Sequence, residues 1–206
     1  MEFNVQLAYN EKGYYFSGGK FMEKEKSELF GWIKSIVIAL VIAFLIRAFV
    51  FSPIVVDGPS MQPTLYDRDQ MIVNKFNYHF NEPKRFDIVV FHATEDKDYI
   101  KRVIGLPGEH VEMKDNTLFI NQTEEKEYFL QPSNKNDLKE PILTADFSLE
   151  DLPGNYSEIP EGLVLVLGDN RNNSTDSRVI GLVDIDEIVG KTSLIYWPFK
   201  RAQFVK

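Results

Sequence analysis

The sequence has no cysteine and only three histidines, His79, His92 and His110. The first absence removes disulfides, thiol nucleophiles and cysteine-ligated zinc together. The second leaves little for metal binding, because no two histidines stand four residues apart, the spacing that puts a pair on one helix face. Positive charge is also scarce: 23 Lys and Arg against 31 Asp and Glu give a formal net charge of −8. No Lys/Arg block stands out, so no nucleic-acid partner is expected. A chain of 206 residues still leaves enough for one ordinary domain with its own core once a membrane segment is set aside.

What is present is one long apolar run, "LFGWIKSIVIALVIAFLIRAFVFSP". It is free of charge from Ser35 to Ile46, between Lys34 and Arg47. Counted from Phe30 to Phe51, it has about the length needed to cross a ~30 Å hydrocarbon core, with both cations near enough to the ends to snorkel. A single transmembrane helix is expected over residues 30–51. A cleavable leader is the rival reading, but Pro53 directly follows the small-residue positions Val50 and Ser52, and Arg47 interrupts the apolar stretch. Lys20, Lys24, Lys26 and Lys34 precede or open the run, whereas the comparable stretch after it offers only Arg68. The positive-inside rule then makes residues 1–29 a cytoplasmic tail and puts residues 52–206 outside. The first twenty-odd residues show no sustained period, and no function is assigned to them.

Beyond the anchor the chain reads as strands. "QMIVNKF", "FDIVVFH", "GLVLVLG" and "TSLIYWPF" are rich in β-branched and aromatic residues, and "HVEMK" and "TLFIN" flank Asp115-Asn116, a pair that tolerates the positive φ of a tight hairpin. Short strands with Gly, Pro, Asn and Asp between them predict a mainly β fold of antiparallel sheets. Residues 121–161 are polar, acidic and dotted with proline. They read as an excursion from the core sheet, either a solvated loop or a small β subdomain.

Three short stretches carry candidate chemistry. In "VVDGPSMQPTL", Ser60 is either a turn residue or a nucleophile; a serine hydroxyl needs a neighbouring base to become one. The context is not G-x-S-x-G, since Gln62 takes the place of the last glycine, and no lysine stands three residues on, where Pro63 is found. In "DYIKRVIGLPGE", the strand period puts Tyr99, Lys101 and Val103 on one face and Ile100, Arg102 and Ile104 on the other, so one of the two adjacent cations should point away from solvent. A lysine in an apolar setting has a lowered pKa and can act as a base; a lysine on a solvated edge has no such role. "GDNRNNSTDSR" suggests a hydrogen-bonded polar turn. It fails as a calcium loop, because Arg171, Ser174 and Ile180 fall where a ligand, the turn glycine and the bidentate glutamate belong.

As an ordered set behind one anchor, "GPSMQPTL", "FDIVVF", "YIKRVIGLPGE" and "GDNRNNSTDSR" resemble the signature blocks of bacterial type I signal peptidases, membrane-bound serine endopeptidases with a Ser/Lys dyad. The resemblance extends from about residue 30 to the end of the chain. It implies a signal-peptidase-like β fold, a Ser60 nucleophile and Lys101 as general base, with no cofactor or metal. It further implies that Ser174 hydrogen-bonds Lys101, and that Asp169, Arg171, Asp176, Arg178 and Arg102 form a salt-bridged support. The Ser60 N–H would serve as an oxyanion donor. Gly58 stands where some members carry a second serine, the form of the Gram-positive type. Ile54, Val56 and Ile100 would line shallow pockets for small side chains of an A-x-A site, and Met61 would lie at the bilayer surface. The implied partners are secretory preproteins, the lipid bilayer and the secretion machinery, and the implied location is the plasma membrane.

Overall fold

The β-branched and aromatic runs fold as strands because each has a face, or both, to bury. The computed structural model describes residues 18–49, 51–75, 82–94, 97–130 and 143–205. The chain divides into two units, Met1–Ile46 and Arg47–Lys206.

In the first unit, helix α1 begins at Gly18 and continues to Phe49, starting well before the expected residue 30. The described side chains from Leu29 to Phe44 are all exposed. Among the described residues, no helix is long and apolar enough to cross a membrane. The expected tail before Gly18 lies outside the described residues.

In the second unit the strands are β1 (Phe51–Val55), β2 (Gln70–Asn74), β3 (Ile88–Thr94), β4 (Lys97–Gly105), β5 (Val111–Lys114), β6 (Thr117–Ile120), β7 (Thr123–Glu125), β8 (Phe147–Ser148), β9 (Leu163–Leu167), β10 (Val183–Asp184), β11 (Ile188–Trp197) and β12 (Gln203–Phe204). A short helix, α2 (Ser177–Ile180), lies between β9 and β10. The larger sheet has eight strands in the order β1-β2-β11-β3-β4-β9-β10, with β12 on β11; the smaller has the order β7-β6-β5-β8. The recorded pairings are antiparallel. The mainly β, antiparallel expectation holds for this unit.

The small sheet refines the expected excursion. Asp115 (φ 46°) and Asn116 (φ 61°) form the anticipated turn, but the hairpin β5–β6 pairs with β7 and β8 rather than with the main sheet. The small sheet thus begins at Val111, upstream of residue 121; residues 131–142 lie outside the described residues. Its apolar face, Val111, Met113, Leu118 and Ile120, packs with Leu149, Leu152 and Ile159 against Ile104, Leu165 and Leu167 of the main sheet. The other side of β4 packs through Val103 against Val89, Phe91, Val164 and Val166. Both faces of β4 are covered beyond Ile100. Consequently Lys101 and Arg102 are both buried, where the alternation argument placed only one of them away from solvent.

Candidate active site

Ser60 lies in the connection between β1 and β2, and the chain fixes that connection at its base. The Val56 N–H donates to the Asp69 carbonyl (2.8 Å), and the Arg68 N–H donates back to the Val56 carbonyl (2.8 Å). Directly after Ser60, the buried Met61 and Leu65 pack with Val56, Met71 and Ile88, and the Leu65 N–H donates to the Met61 carbonyl (2.9 Å). Met61 is thus a core residue rather than one facing a bilayer; it turns inward because it opens the turn that this cluster anchors. On the opposite side the backbone N–H of Asn170 donates to the Ser60 carbonyl (3.0 Å), and its side-chain amide donates to the Pro59 carbonyl (3.1 Å).

Lys101 reaches the same point from β4, opposite Val89 of β3. Its Nζ lies 3.0 Å from Ser60 Oγ and donates to the Ile100 carbonyl (3.0 Å), with the Tyr99 ring centroid 5.0 Å away. Among the described residues no carboxylate forms an ion pair with it. Burial strips the ammonium of water and lowers its pKa from 10.5 to about 8, while the more distant Asp176 and Asp169 carboxylates hold it from falling further. The pair thus meets two requirements of base chemistry: an amine whose proton is more easily lost than usual, in contact with a hydroxyl.

The two groups open on a cleft of about 490 Å³, whose lining includes Ile54, Val56, Ile100 and Gly58. The three apolar residues expected at the pocket are therefore together beside Ser60. Gly58 has φ +86°, a left-handed conformation that favours glycine, and its N–H is committed to Asp67 Oδ1 (3.0 Å). It shapes the cleft wall; its N–H is not available as an oxyanion donor.

Behind the dyad stand three ion pairs. Arg102 donates through Nε (2.9 Å) and an η nitrogen (2.7 Å) to the two oxygens of Asp169, and both side chains are fully buried. The Arg102 guanidinium lies 3.9 Å from the centroid of the Phe129 ring. Arg178 donates to both oxygens of Asp176, each at 2.8 Å, and the Gly168 N–H adds a third bond at 3.0 Å. Burial pushes the Asp176 carboxyl up, but these donors outweigh it and hold the pKa below the ordinary value. Asp176 is also the N-cap of α2. Arg171 binds the Gly168 carbonyl (3.1 Å), Thr144 (3.0 Å) and Glu127.

One expected contact is absent. The Ser174 Oγ is buried without a hydrogen-bond partner among the described residues, so it does not hydrogen-bond Lys101 here. Although its hydroxyl is close enough to Asp176 to help hold that carboxyl low, the geometry falls short of a hydrogen bond. The hydroxyl is instead turned over Gly168, where an added Cβ would come 2.1 Å from Ser174 Oγ and 2.5 Å from the Ser60 carbonyl. Gly168 is the close-approach point that lets the two serine segments meet.

Sequence reasoning missed Thr64, whose hydroxyl donates to Asp169, and Glu127. Thr64 lies in the same turn as Ser60, a signal that was readable. Glu127 belongs to a run of charged residues and had none. Asn170 lies in the GDNRNNSTDSR stretch, where its residue type alone gives no sign of the bonds it makes.

The family description "Signal peptidase, peptidase S26" matches residues 29–197. A signal peptidase I of Bacillus caldolyticus is 46% identical over 167 residues, covering 81% of this chain and 91% of that protein. A signal peptidase IB of Staphylococcus aureus (strain MRSA252) is 43% identical over 182 residues, covering 87% and 95%. A solved signal peptidase I of Enterococcus faecalis V583 is 42% identical and covers 54% of this chain and 97% of its own, with a TM-score of 0.48. The resemblance carried by the ordered stretches therefore holds, and the chain belongs to the signal peptidase family, peptidase S26.

Proposed function

We propose that the protein is a membrane-bound serine endopeptidase that removes N-terminal signal peptides from secretory preproteins after small residues of the A-x-A type. The observation that carries the reading is the 3.0 Å contact between Lys101 Nζ and Ser60 Oγ, in which the amine is buried and its pKa lowered to about 8. With Lys101 neutral, the Ser60 hydroxyl donates into the amine's lone pair. As Oγ attacks the scissile carbonyl, the proton passes to Nζ and a tetrahedral oxyanion forms. The Ser60 N–H serves as a donor that stabilises it. The C–N bond then breaks, Lys101 returns the proton to the leaving amine, and an ester remains on Ser60. Water hydrolyses that ester with Lys101 again taking and returning a proton.

The first strand, β1, is at the end of the sheet order, and β9 pairs with β4 only from Arg102 onward. An extended peptide in the cleft can therefore hydrogen-bond to exposed main chain on its walls. Ile54, Val56 and Ile100 close on its side chains and admit small ones, selecting by exclusion.

The anchor belongs to the same reading. Residues 30–51 cross the plasma membrane once, with the Lys34 and Arg47 side chains snorkelling toward the headgroups, residues 1–29 in the cytoplasm and residues 52–206, the catalytic part, outside. An exposed helix that is apolar on all sides, as at Trp32, Ile33, Val41 and Ile42, suits a lipid surround. In the second unit, exposed Trp197, Phe199 and Phe204 are side chains suited to a headgroup layer. The bilayer and the secretion machinery are its surroundings.

The test is incubation of detergent-solubilised protein with a preprotein and mass analysis of the product. Mature-length product is expected from the parent, and none from Ser60→Ala or Lys101→Ala. Cleavage by either variant at the parental rate removes the dyad. Release of the protein from membranes by alkaline carbonate would remove the anchor.

A further inference from the structure

The turn that carries Ser60 is held from two sides. One side is the 168–178 stretch, through Asn170 and Asp169. The other is a segment with no assigned part, residues 199–205. After β11 the chain makes a short helical turn, Phe199–Arg201, and folds back as β12, pairing Phe204 with Leu194 and Gln203 with Ile195. Val205 then donates its N–H to the Ser193 carbonyl (2.8 Å) and packs its side chain with Met61 and Leu65.

Arg201 makes the polar half of this return. Its Nε (3.0 Å) and an η nitrogen (3.0 Å) donate to the two oxygens of the buried Asp69. The same η nitrogen reaches the Thr64 carbonyl at 3.4 Å, and the guanidinium lies 4.0 Å from the centroid of the Tyr66 ring. Asp69 in turn accepts from the Tyr66 N–H (2.9 Å). One side chain therefore touches three residues of the stretch that begins at Ser60. Thr64 is also bonded to Asp169 on the far side, so any slack at Arg201 passes through the turn to the nucleophile.

We infer that Arg201 is a positioning residue for Ser60: its guanidinium latches Asp69, Tyr66 and Thr64 and so keeps the nucleophile turn at reacting distance from Lys101. A planar fork suits the position, because one donor edge meets a carboxylate while the face stacks on a ring. The inference rests on Ser60 and Lys101 as the dyad. It concerns turnover rather than substrate affinity, since none of the residues Arg201 contacts lines the cleft.

The experiment compares kcat and KM of the full-length parent, Arg201→Ala, Arg201→Lys and Ser60→Ala on one peptide spanning an A-x-A site, at a temperature where urea unfolding shows each variant folded. A misplacement of about 1 Å is enough to lower turnover on the order of 100-fold. The expected result is kcat reduced roughly 10- to 100-fold in Arg201→Ala with KM near parental, and a smaller loss in Arg201→Lys. Arg201 is 31% exposed, so added methylguanidinium is expected to restore part of the Arg201→Ala kcat, while methylammonium is not. Parental kcat in folded Arg201→Ala, or a lowered melting point as its sole change, overturns the inference. If Arg201→Ala does not fold, Arg201→Lys decides: it keeps a charge for Asp69 but cannot stack and fork at once, so parental kcat there overturns the inference too. Activity in Ser60→Ala would instead mark failure of the dyad reading.

Discussion

Lys101 and Arg102 are neighbours on one strand and both are buried, yet the regions they enter are opposites. Arg102 finds an acceptor for each of its three nitrogens: two oxygens of Asp169 and the Phe86 carbonyl at 2.9 Å. Lys101 finds a serine hydroxyl and one backbone carbonyl. The same burial is made tolerable in two ways. Around Arg102 the charge is retained and paired; around Lys101 it is left without an adjacent carboxylate, so the group gives up its proton more easily. One region holds its charge, while the other lets its proton go more easily.

The comparison is broken most directly by removing the unpaired amine. Lys101→Met keeps the side-chain length and apolar stem but has no base, and kcat/KM is expected to fall by about 10⁴-fold or more, as when a nucleophile's base is deleted elsewhere. Retention of more than a tenth of parental activity on a peptide substrate would show that the amine is a bystander. On the paired side the large effect is on stability. Asp169→Ala leaves the Arg102 guanidinium buried without its carboxylate, and Thr64 without its acceptor, so unfolding free energy should drop by about 3–5 kcal/mol. Urea denaturation measures it. A loss below ~1 kcal/mol would mean that water or backbone carbonyls satisfy Arg102 unaided.

These contrasts show which features could be read from the residues and which could not. The Asp115-Asn116 turn was legible because its chemistry is local: two residue types that tolerate positive φ, between two strand-like runs. The period of two was equally local, and it correctly set Lys101 and Arg102 on opposite faces. What it could not supply was the cover on each face. That cover comes from the β5–β6 hairpin on one side and, on the other, from an apolar cluster that Val103 shares with Val183 and Ile188, contacts made between distant stretches. Partner choice had the same limit. Asp176 and Arg178 are two residues apart and were read together, but the partner of Arg171 is Glu127, inside a polar run that reads equally as a solvated loop or a small subdomain. Asp69 and Arg201, far apart in the sequence, shared no signal. Ser60 and Lys101 were legible for a different reason, the order of blocks, since nothing in their separation predicts contact.

A sharper comparison uses pH. The native pKa of Lys101 is about 8 against the ordinary lysine value of 10.5. Below pH 8 the residue is protonated in both native and unfolded chains, and its charged form destabilises the fold by about 3 kcal/mol relative to a residue with no such burden. Between pH 8 and 10.5 the native protein has released this proton while the unfolded chain still holds it. Stability from this group therefore rises with pH through that window. Lys101→Met should be about 3 kcal/mol more stable than the parent at pH 7, with the gap narrowing at pH 9.5. A gap of the same size at both pH values would place the lowered pKa elsewhere.

The smallest effect is on rate, and it tests the carboxylates that temper Lys101. A base with a pKa of about 8 is roughly one-tenth neutral at pH 7, so kcat/KM on a peptide should climb about tenfold to a plateau above its midpoint. Asp176 is the larger of the two charges that raise this pKa. Its replacement in Asp176→Asn takes away an attractive charge and leaves Arg178 unneutralised, and both changes disfavour the ammonium. The midpoint of the acid limb should therefore move below 8, toward neutrality, even as the variant loses stability. A midpoint that stays in place or moves upward would mean that Asp176 acts on the dyad only by shaping the 168–178 stretch. In that case the boundary between the paired and unpaired regions would be one of geometry, with no electrostatic link across it.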